Sequence, residues 1–182
     1  MSKKELLTEL KGGASHFVLV GTAKVTDGSF GGAKQKEGSN WLGVNSSFGV
    51  EISEGNVIYP VVRGGYMLDN PVLKRFGKDR ESGMVTINYD RRHDEALLDN
   101  IAPSAFKRGA LVRGDDKKPV LERFIDDIDY EEYLANNLSD GMEIRVVGRV
   151  EYSEGTEDRI YRNYTVSAVY LNEAYQKNGV EV

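Results

Sequence analysis

The chain contains no cysteine, four prolines, two histidines and one tryptophan among its 182 residues. Without cysteine there is no disulfide, no thiolate metal site and no cysteine nucleophile, a composition that suits an intracellular protein. Two isolated histidines leave little material for acid–base or metal chemistry. His93 sits in DRRHDE beside Asp90, Asp94 and Glu95, without the i, i+4 histidine spacing of a metal helix, so a solvated charge cluster is expected. His16 begins an apolar run and has no evident partner. No Gly-Gly pair is followed by Lys-Ser/Thr or sits in a GxGxxG arrangement, so no phosphate-cradling loop is expected. Nothing in the sequence marks an enzyme, and no catalytic residue, metal or cofactor is assigned.

Long apolar runs are also missing. None approaches the roughly 20 residues that cross a bilayer, and no membrane role is expected. The opening MSKKELLTELKGG carries lysines but no hydrophobic signal segment, and it reads as a short frayed helix or tail of a cytoplasmic protein. The formal net charge of −5 argues against a generic duplex binder, which needs a basic field, but leaves room for a basic groove on an acidic body.

What is present is alternation. In HFVLVGTAKVT, Phe17, Leu19, Gly21, Ala23 and Val25 share one face and Val18, Val20, Thr22 and Lys24 the other, the period-2 pattern of a half-buried strand over His16–Thr26. Gly21 marks a bend or a close backbone approach. DGSFGGAKQKEGSN follows as a mobile loop holding Phe30, Lys34 and Lys36. Trp41–Ile52 reads as a second strand, turning at Glu54-Gly55 into a third over Val57–Arg63, which Pro60 interrupts and Gly64-Gly65 ends.

Residues 66–118 form an insertion, with apolar positions too sparse for a core of its own. A strand is expected at Met84–Tyr89, a helix at Asp94–Ile101 capped by Asp94, a strand at Ala110–Arg113 and a polar turn in GDDKKP. Beyond it, Val120–Ile125 reads as a strand and Asp129–Leu138 as a helix capped by Asp129, with Tyr130, Tyr133, Leu134 and Leu138 near one face. From Ile144 the residues Ile144, Val146, Gly148, Val150 and Tyr152 alternate with Arg145, Val147, Arg149 and Glu151, and a last strand runs Tyr161–Leu171. One domain over 1–182 is expected, with 1–15 and 172–182 as tails.

Val18-Leu19-Val20-Gly21, Tyr133-Leu134, the run Leu138, Gly141, Ile144, Val146, Gly148 and Val150, and the last strand carry a resemblance. In this order they resemble the single-stranded DNA-binding proteins of the OB-fold class, in the longer form encoded by tailed phages more than the compact bacterial form. The resemblance covers the first strand and residues 119–171 and leaves the middle unmatched. It implies a mainly β fold: a five-stranded Greek-key barrel with a helix before the fourth strand, here carrying an inserted α+β segment. It also implies sequence-tolerant binding of single-stranded DNA in replication or recombination, in the host cytoplasm if the protein is phage-encoded. Bacterial relatives recruit replication and recombination proteins through an acidic tail, whereas NEAYQKNGVEV is not strongly acidic. Barrels of this class also self-associate through a sheet edge, which leaves a homo-oligomer open.

Single-strand binding needs cations for phosphates and flat rings for bases. On an OB barrel the ligand face lies on the second and third strands and the flanking loops. The residues there are Phe30, Lys34, Lys36, Trp41, Tyr59 and Arg63, with Arg159, Tyr161 and Arg162 from the last hairpin. Trp41 either stacks on bases or plugs the barrel bottom. Phe30, among Gly and Lys, has little core to join and is expected to be exposed. Tyr59 and Tyr161 suit stacking or packing equally, and Arg145 and Arg149 read as solvated strand-face charges. The alternatives are a protein-interaction or phage accessory module on the same barrel, and an RNA-binding protein.

Overall fold

The computed structural model describes residues 15–156, 159–172, 176–177 and 180–181. Most of both expected tails, including the N-terminal helix, lies outside the described residues. The chain is mainly β, built around a curled open sheet that forms a half-barrel.

The first strand, β1 (His16–Lys24), turns Phe17, Leu19 and Ala23 inward and leaves Val18 and Val20 54% and 46% exposed. Gly21 is the place where the next layer crosses closely, since a Cβ there would lie 2.2 Å from Glu51 O. After β2 (Lys34–Gln35), the expected second strand is two, β3 (Trp41–Ser47) and β4 (Gly49–Ser53), separated at the buried Phe48. The third is also two, β5 (Asn56–Ile58) and β6 (Val61–Met67), broken at Tyr59-Pro60. Each bend lets one half pair with one neighbour and the other half with another: β4 pairs with β1 and β5, while β3 pairs with β2 and β6.

The expectation that Gly64-Gly65 ends the strand is corrected, because β6 runs through both. A Cβ at Gly64 would overlap the Asp127 carboxyl group, and one at Gly65 would lie 2.1 Å from Leu42 O, so these glycines permit tight pairing and do not interrupt it.

The inserted segment holds β7 (Val72–Phe76) paired with β8 (Met84–Asn88), the short α1 (Glu95–Leu98) and β9 (Lys107–Ala110), which lies beside β10 (Glu122–Phe124). Asp94 caps α1 as expected, accepting from the N–H groups of Ala96 and Leu97. The strand expected at Ala110–Arg113 lies earlier, and that expected at Val120–Ile125 is shorter, because Arg113 and Pro119 close the GDDKKP turn between them. The expected sparseness is also corrected. Leu73, Ile87, Leu98, Ile101, Phe106 and Ile125 form a second buried cluster. Tyr66 of β6 stacks on Tyr89 at 3.8 Å and joins this cluster to the main sheet.

The helix α2 (Asp127–Asn137) begins two residues before the expected start, since Asp126, not Asp129, caps it by accepting from Asp129 N–H at 3.0 Å. Asp129 is instead held by Arg92, Nε at 2.7 Å and Nη2 at 3.2 Å, with His93 Nε2 at 3.3 Å. His93 is therefore an exposed partner of this pair, and among the described residues no group of His, Asp and Glu is arranged to hold a metal. Tyr130, Tyr133 and Leu134 pack into the main core with Phe17, Val44, Val62, Ile144, Val146 and Val166, each fully buried side chain contributing about 1.5–3 kcal/mol. The closing hairpin, β11 (Glu143–Glu154) with β12 (Ile160–Leu171), pairs with β1 on one side and runs parallel to β6 on the other, at Thr165 and Val61. Its parity is the expected one over the first half of β11, with Ile144, Val146 and Gly148 buried and Arg145 and Arg149 exposed, but Tyr152, expected on the inner face, is exposed.

Candidate nucleic-acid interface

The strands β2, β3 and β6 present one face away from the core, and their register fixes which side chains share it. Directly opposed residues point to the same side of a sheet. Trp41 lies opposite Met67, Gly43 opposite Gly65, and Asn45 opposite Arg63. On the other edge, Lys34 lies opposite Gly43, and Lys36 N–H donates to Trp41 O at 3.0 Å. Lys34, Lys36, Trp41, Asn45, Arg63 and Met67 thus belong to one face. Val44 and Val62, one residue out of step, lie on the buried side.

The centre of this face has no side chains. Gly43 and Gly65 form a bare backbone floor between Trp41 and Met67 at one end and Asn45 and Arg63 at the other. The indole extends over that floor: Trp41 Nε1 lies 2.8 Å from where a Gly43 Cβ would stand. Trp41 keeps 38% of its surface exposed, so it is not the plug of the barrel bottom. With Val44, Asn45, Arg63 and Gly64 it lines an open concavity of about 300 Å³.

Beneath the sheet, α2 supplies carboxyl groups that support this face from behind. Asp127 lies under Gly64, with Lys107 Nζ 3.3 Å from its Oδ1 and Arg75 Nη2 3.8 Å from its Oδ2. Glu131, 3% exposed, accepts from Ser46 Oγ at 2.7 Å and from Gly32 N–H at 3.0 Å, tying the loop before Lys34 to β3 and the helix. Asp126 is almost fully buried. Its Oδ2 accepts from Asp129 N–H and from the Tyr89 hydroxyl at 2.9 Å, while its Oδ1 has no hydrogen-bond partner among the described residues. Burial raises the Asp126 pKa, partly opposed by those two hydrogen bonds, and burial with the Asp126 charge raises that of Tyr89.

Four of the nine residues singled out from the sequence, Lys34, Lys36, Trp41 and Arg63, come together on this face. Phe30 does not, and its expected exposure is corrected. It is half-buried against the main core, 6.0 Å from the Phe48 ring, because the loop folds back under the Glu131 anchor. Tyr59 is exposed at the bend between β5 and β6, near Gly49, eight residues and on the order of 26 Å along the strands from Trp41. The register of Thr165 with Val61 puts residues 159–162 beyond that same end. There Tyr161 packs over Gly155 and the Arg162 guanidinium sits 5.3 Å from the Tyr164 ring centre. Asn45 and Met67 belong to the face and were missed. Asn45 shares the parity of Trp41, a signal already in the sequence, whereas Met67 was hidden by the strand end assumed at Gly64-Gly65.

Comparison with family models, curated proteins and solved structures gives no match for this chain.

Proposed function

We propose that this chain is an OB-fold, sequence-tolerant single-stranded DNA-binding protein that holds exposed strands during replication or recombination. The fold reading is supported by the pairing order. If β3–β4 and β5–β6 are each one bent strand, the five strands pair 1-2-3-5-4-1, the third and fifth run parallel, and α2 lies between the third and fourth. The observation that carries the function is the exposed Trp41 indole over a glycine floor, with Lys34, Lys36 and Arg63 on the same face. A flat ring over bare backbone leaves room for a base to stack, worth about 1–3 kcal/mol, and the cations around it follow the phosphates. Neither contact reads base identity, which is why the binding is sequence-tolerant.

Trp41 is the only tryptophan, so its fluorescence reports on this face alone. Oligo-dT is expected to quench it, and Trp41→Ala to weaken binding about 5- to 150-fold, the equivalent of one lost stacking contact. The slope of log affinity against log salt should become shallower by about 0.7 for each of Lys34→Gln and Arg63→Gln. Absence of both quenching and a salt-dependent complex refutes the reading. Equal binding of oligo-U in the same titration would extend the ligand class to RNA.

A further inference from the structure

The concavity beside Trp41 does not end there. A second, of about 300 Å³, runs from Trp41 past Gly65 and Met67 to Lys74 and Arg75 on β7. A third, also about 300 Å³, starts at Lys74 and Arg75 and lies between the β7–β8 hairpin and β12, reaching Phe76, Met84, Arg149 and Thr165. The first two share Trp41 and the last two share Lys74 and Arg75, so the three lie next to one another, and among the described residues no Asp or Glu lines them. The neighbouring carboxyl groups are Asp127, which faces Arg75 and Lys107, and Glu151, which accepts from Thr165 Oγ1 at 2.8 Å.

We propose that the cleft of Lys74, Phe76 and Arg149 is a second binding site for the same single polynucleotide strand. It rests on the reading of the Trp41 face given above. Alternation on β7 turns Leu73 into the second core and leaves Lys74 and Phe76 on the outer side, with Phe76 65% exposed opposite the equally outward Met84. An exposed phenyl ring beside an ammonium and a guanidinium is the pairing that single-strand grooves use, the ring for a base and the cations for phosphates. The far wall is fixed. Arg75 donates from Nε and Nη2 to Ile125 O at 3.1 and 2.8 Å, Lys107 Nζ donates to Val166 O at 2.6 Å, and both face Asp127, so these two cations are held by the protein while Lys74 and Arg149 are exposed. In a chain with 29 acidic and 24 basic residues, a cationic lining that holds no Asp or Glu among the described residues favours an anionic ligand over an apolar one, and the exposed Phe76 ring beside those cations favours a strand that carries bases over an acidic peptide.

The test titrates the full chain with oligo-dT from about 4 to about 16 nucleotides, the range of site sizes for one OB barrel, reading Trp41 quenching. The parent should bind more tightly as length increases. Phe76→Ala should weaken the long oligonucleotides about 5- to 150-fold and leave the shortest unchanged. The double variant Lys74→Gln with Arg149→Gln should make the salt slope for long oligonucleotides shallower by about 1.4, two phosphates at about 0.7 each. Lys74→Glu, a change at an exposed position, gives the same length-selective loss without removing an apolar ring. If these variants bind long oligonucleotides with the parent's affinity and salt slope, the second site is refuted and the Trp41 interface stands. If the parent shows no quenching at any length, the Trp41 interface fails and the second site fails with it.

Discussion

Glu131 ties the Trp41 face together from behind, although it is only 3% exposed. Its Oε1 takes hydrogen bonds from Ser46 Oγ at 2.7 Å and Gly32 N–H at 3.0 Å, and Ser46 Oγ lies 3.5 Å from Gly31 N–H. One oxygen atom therefore joins α2, the inner side of β3 and the loop that delivers Lys34. Glu131→Ala leaves two donors without their acceptor. Ser46 is 5% exposed and loses its partner outright, while Gly32 is exposed and water replaces part of what it loses. At about 1–3 kcal/mol for a buried unsatisfied group and less for the exposed one, the expected cost is about 2–4 kcal/mol.

Glu131→Gln is the discriminating control. It preserves an oxygen acceptor and the shape of the side chain, so it should cost about 1 kcal/mol or less. Combining Glu131→Ala with Ser46→Ala should cost less than the sum of the two single changes, with a coupling of about 0.5–3 kcal/mol, because both remove the same contact. Urea unfolding at constant pH reads all of these as shifts in midpoint at unchanged m. Two results refute the reasoning: Glu131→Ala within about 0.5 kcal/mol of the parent, or Glu131→Gln as costly as Glu131→Ala. The second outcome would mean that charge, and not the acceptor geometry, holds the loop.

Two other side chains give independent tests. The raised pKa of Asp126 means that the folded state holds its proton more tightly than the unfolded chain, so this group contributes stability as pH falls from its raised value toward the ordinary carboxyl range and loses it as pH rises back. Asp126→Asn keeps an oxygen for the helix cap. It should be at least as stable as the parent above the raised value and flatten the pH dependence above the ordinary carboxyl range of about pH 4, whereas Asp126→Ala loses about 0.5–2 kcal/mol with the cap; an unchanged pH slope in the Asn variant would rule the explanation out. Phe30→Ala, which removes a half-buried ring beside Phe48, should cost about 2–3 kcal/mol, below the value for a fully buried phenylalanine, and leave Trp41 quenching by oligo-dT intact. Lost affinity with unchanged stability would return Phe30 to the binding surface.

The strands that alternate strictly were legible in the sequence because a period of two is a local property. β1 and the first half of β11 bury the residues their parity assigns, while Tyr152, on the same parity toward the hairpin tip, is 65% exposed. The errors lie where a local signal had two meanings. Asp126 and Asp129 are both competent N-caps, and only the contact of Asp129 with Arg92, brought from 37 residues away, decides between them. Gly64-Gly65 has the composition of a break, and its role as space for Asp127 and the β3 backbone exists only once the helix has packed. The second core was invisible for a related reason. Its six buried residues come one or two at a time from β7, β8, α1, the stretch between α1 and β9, and the end of β10, so no window of the sequence contains a periodic apolar set. Lys34 and Lys36 were recognisable as cations near an aromatic residue, but the face they occupy follows from their pairing with β3.

The net charge of −5 was the main argument against a nucleic-acid surface, and the distribution of carboxyl groups answers it. The acidic run at the start of α2 lies on the covered side of β3 and β6, where Asp127 faces Lys107 and Arg75, Asp129 faces Arg92, and Glu131 takes hydrogen bonds from Ser46 and Gly32. Those acids are committed to contacts beneath the sheet. The outer side has the glycine floor, Trp41, and the cations Lys34, Lys36 and Arg63, and among the described residues no Asp or Glu lines the concavities beside Trp41. At physiological ionic strength the screening length is about 8 Å, so a phosphate on this face responds to the nearest cations far more than to acids elsewhere on the body. Local segregation of charge, not the sum, then sets whether a strand binds. The inserted segment contributes to both halves of that arrangement: it supplies Arg75 and Lys107 to face Asp127, and it carries the exposed Lys74 and Phe76 on the outer side of β7, where the proposed second site would lie.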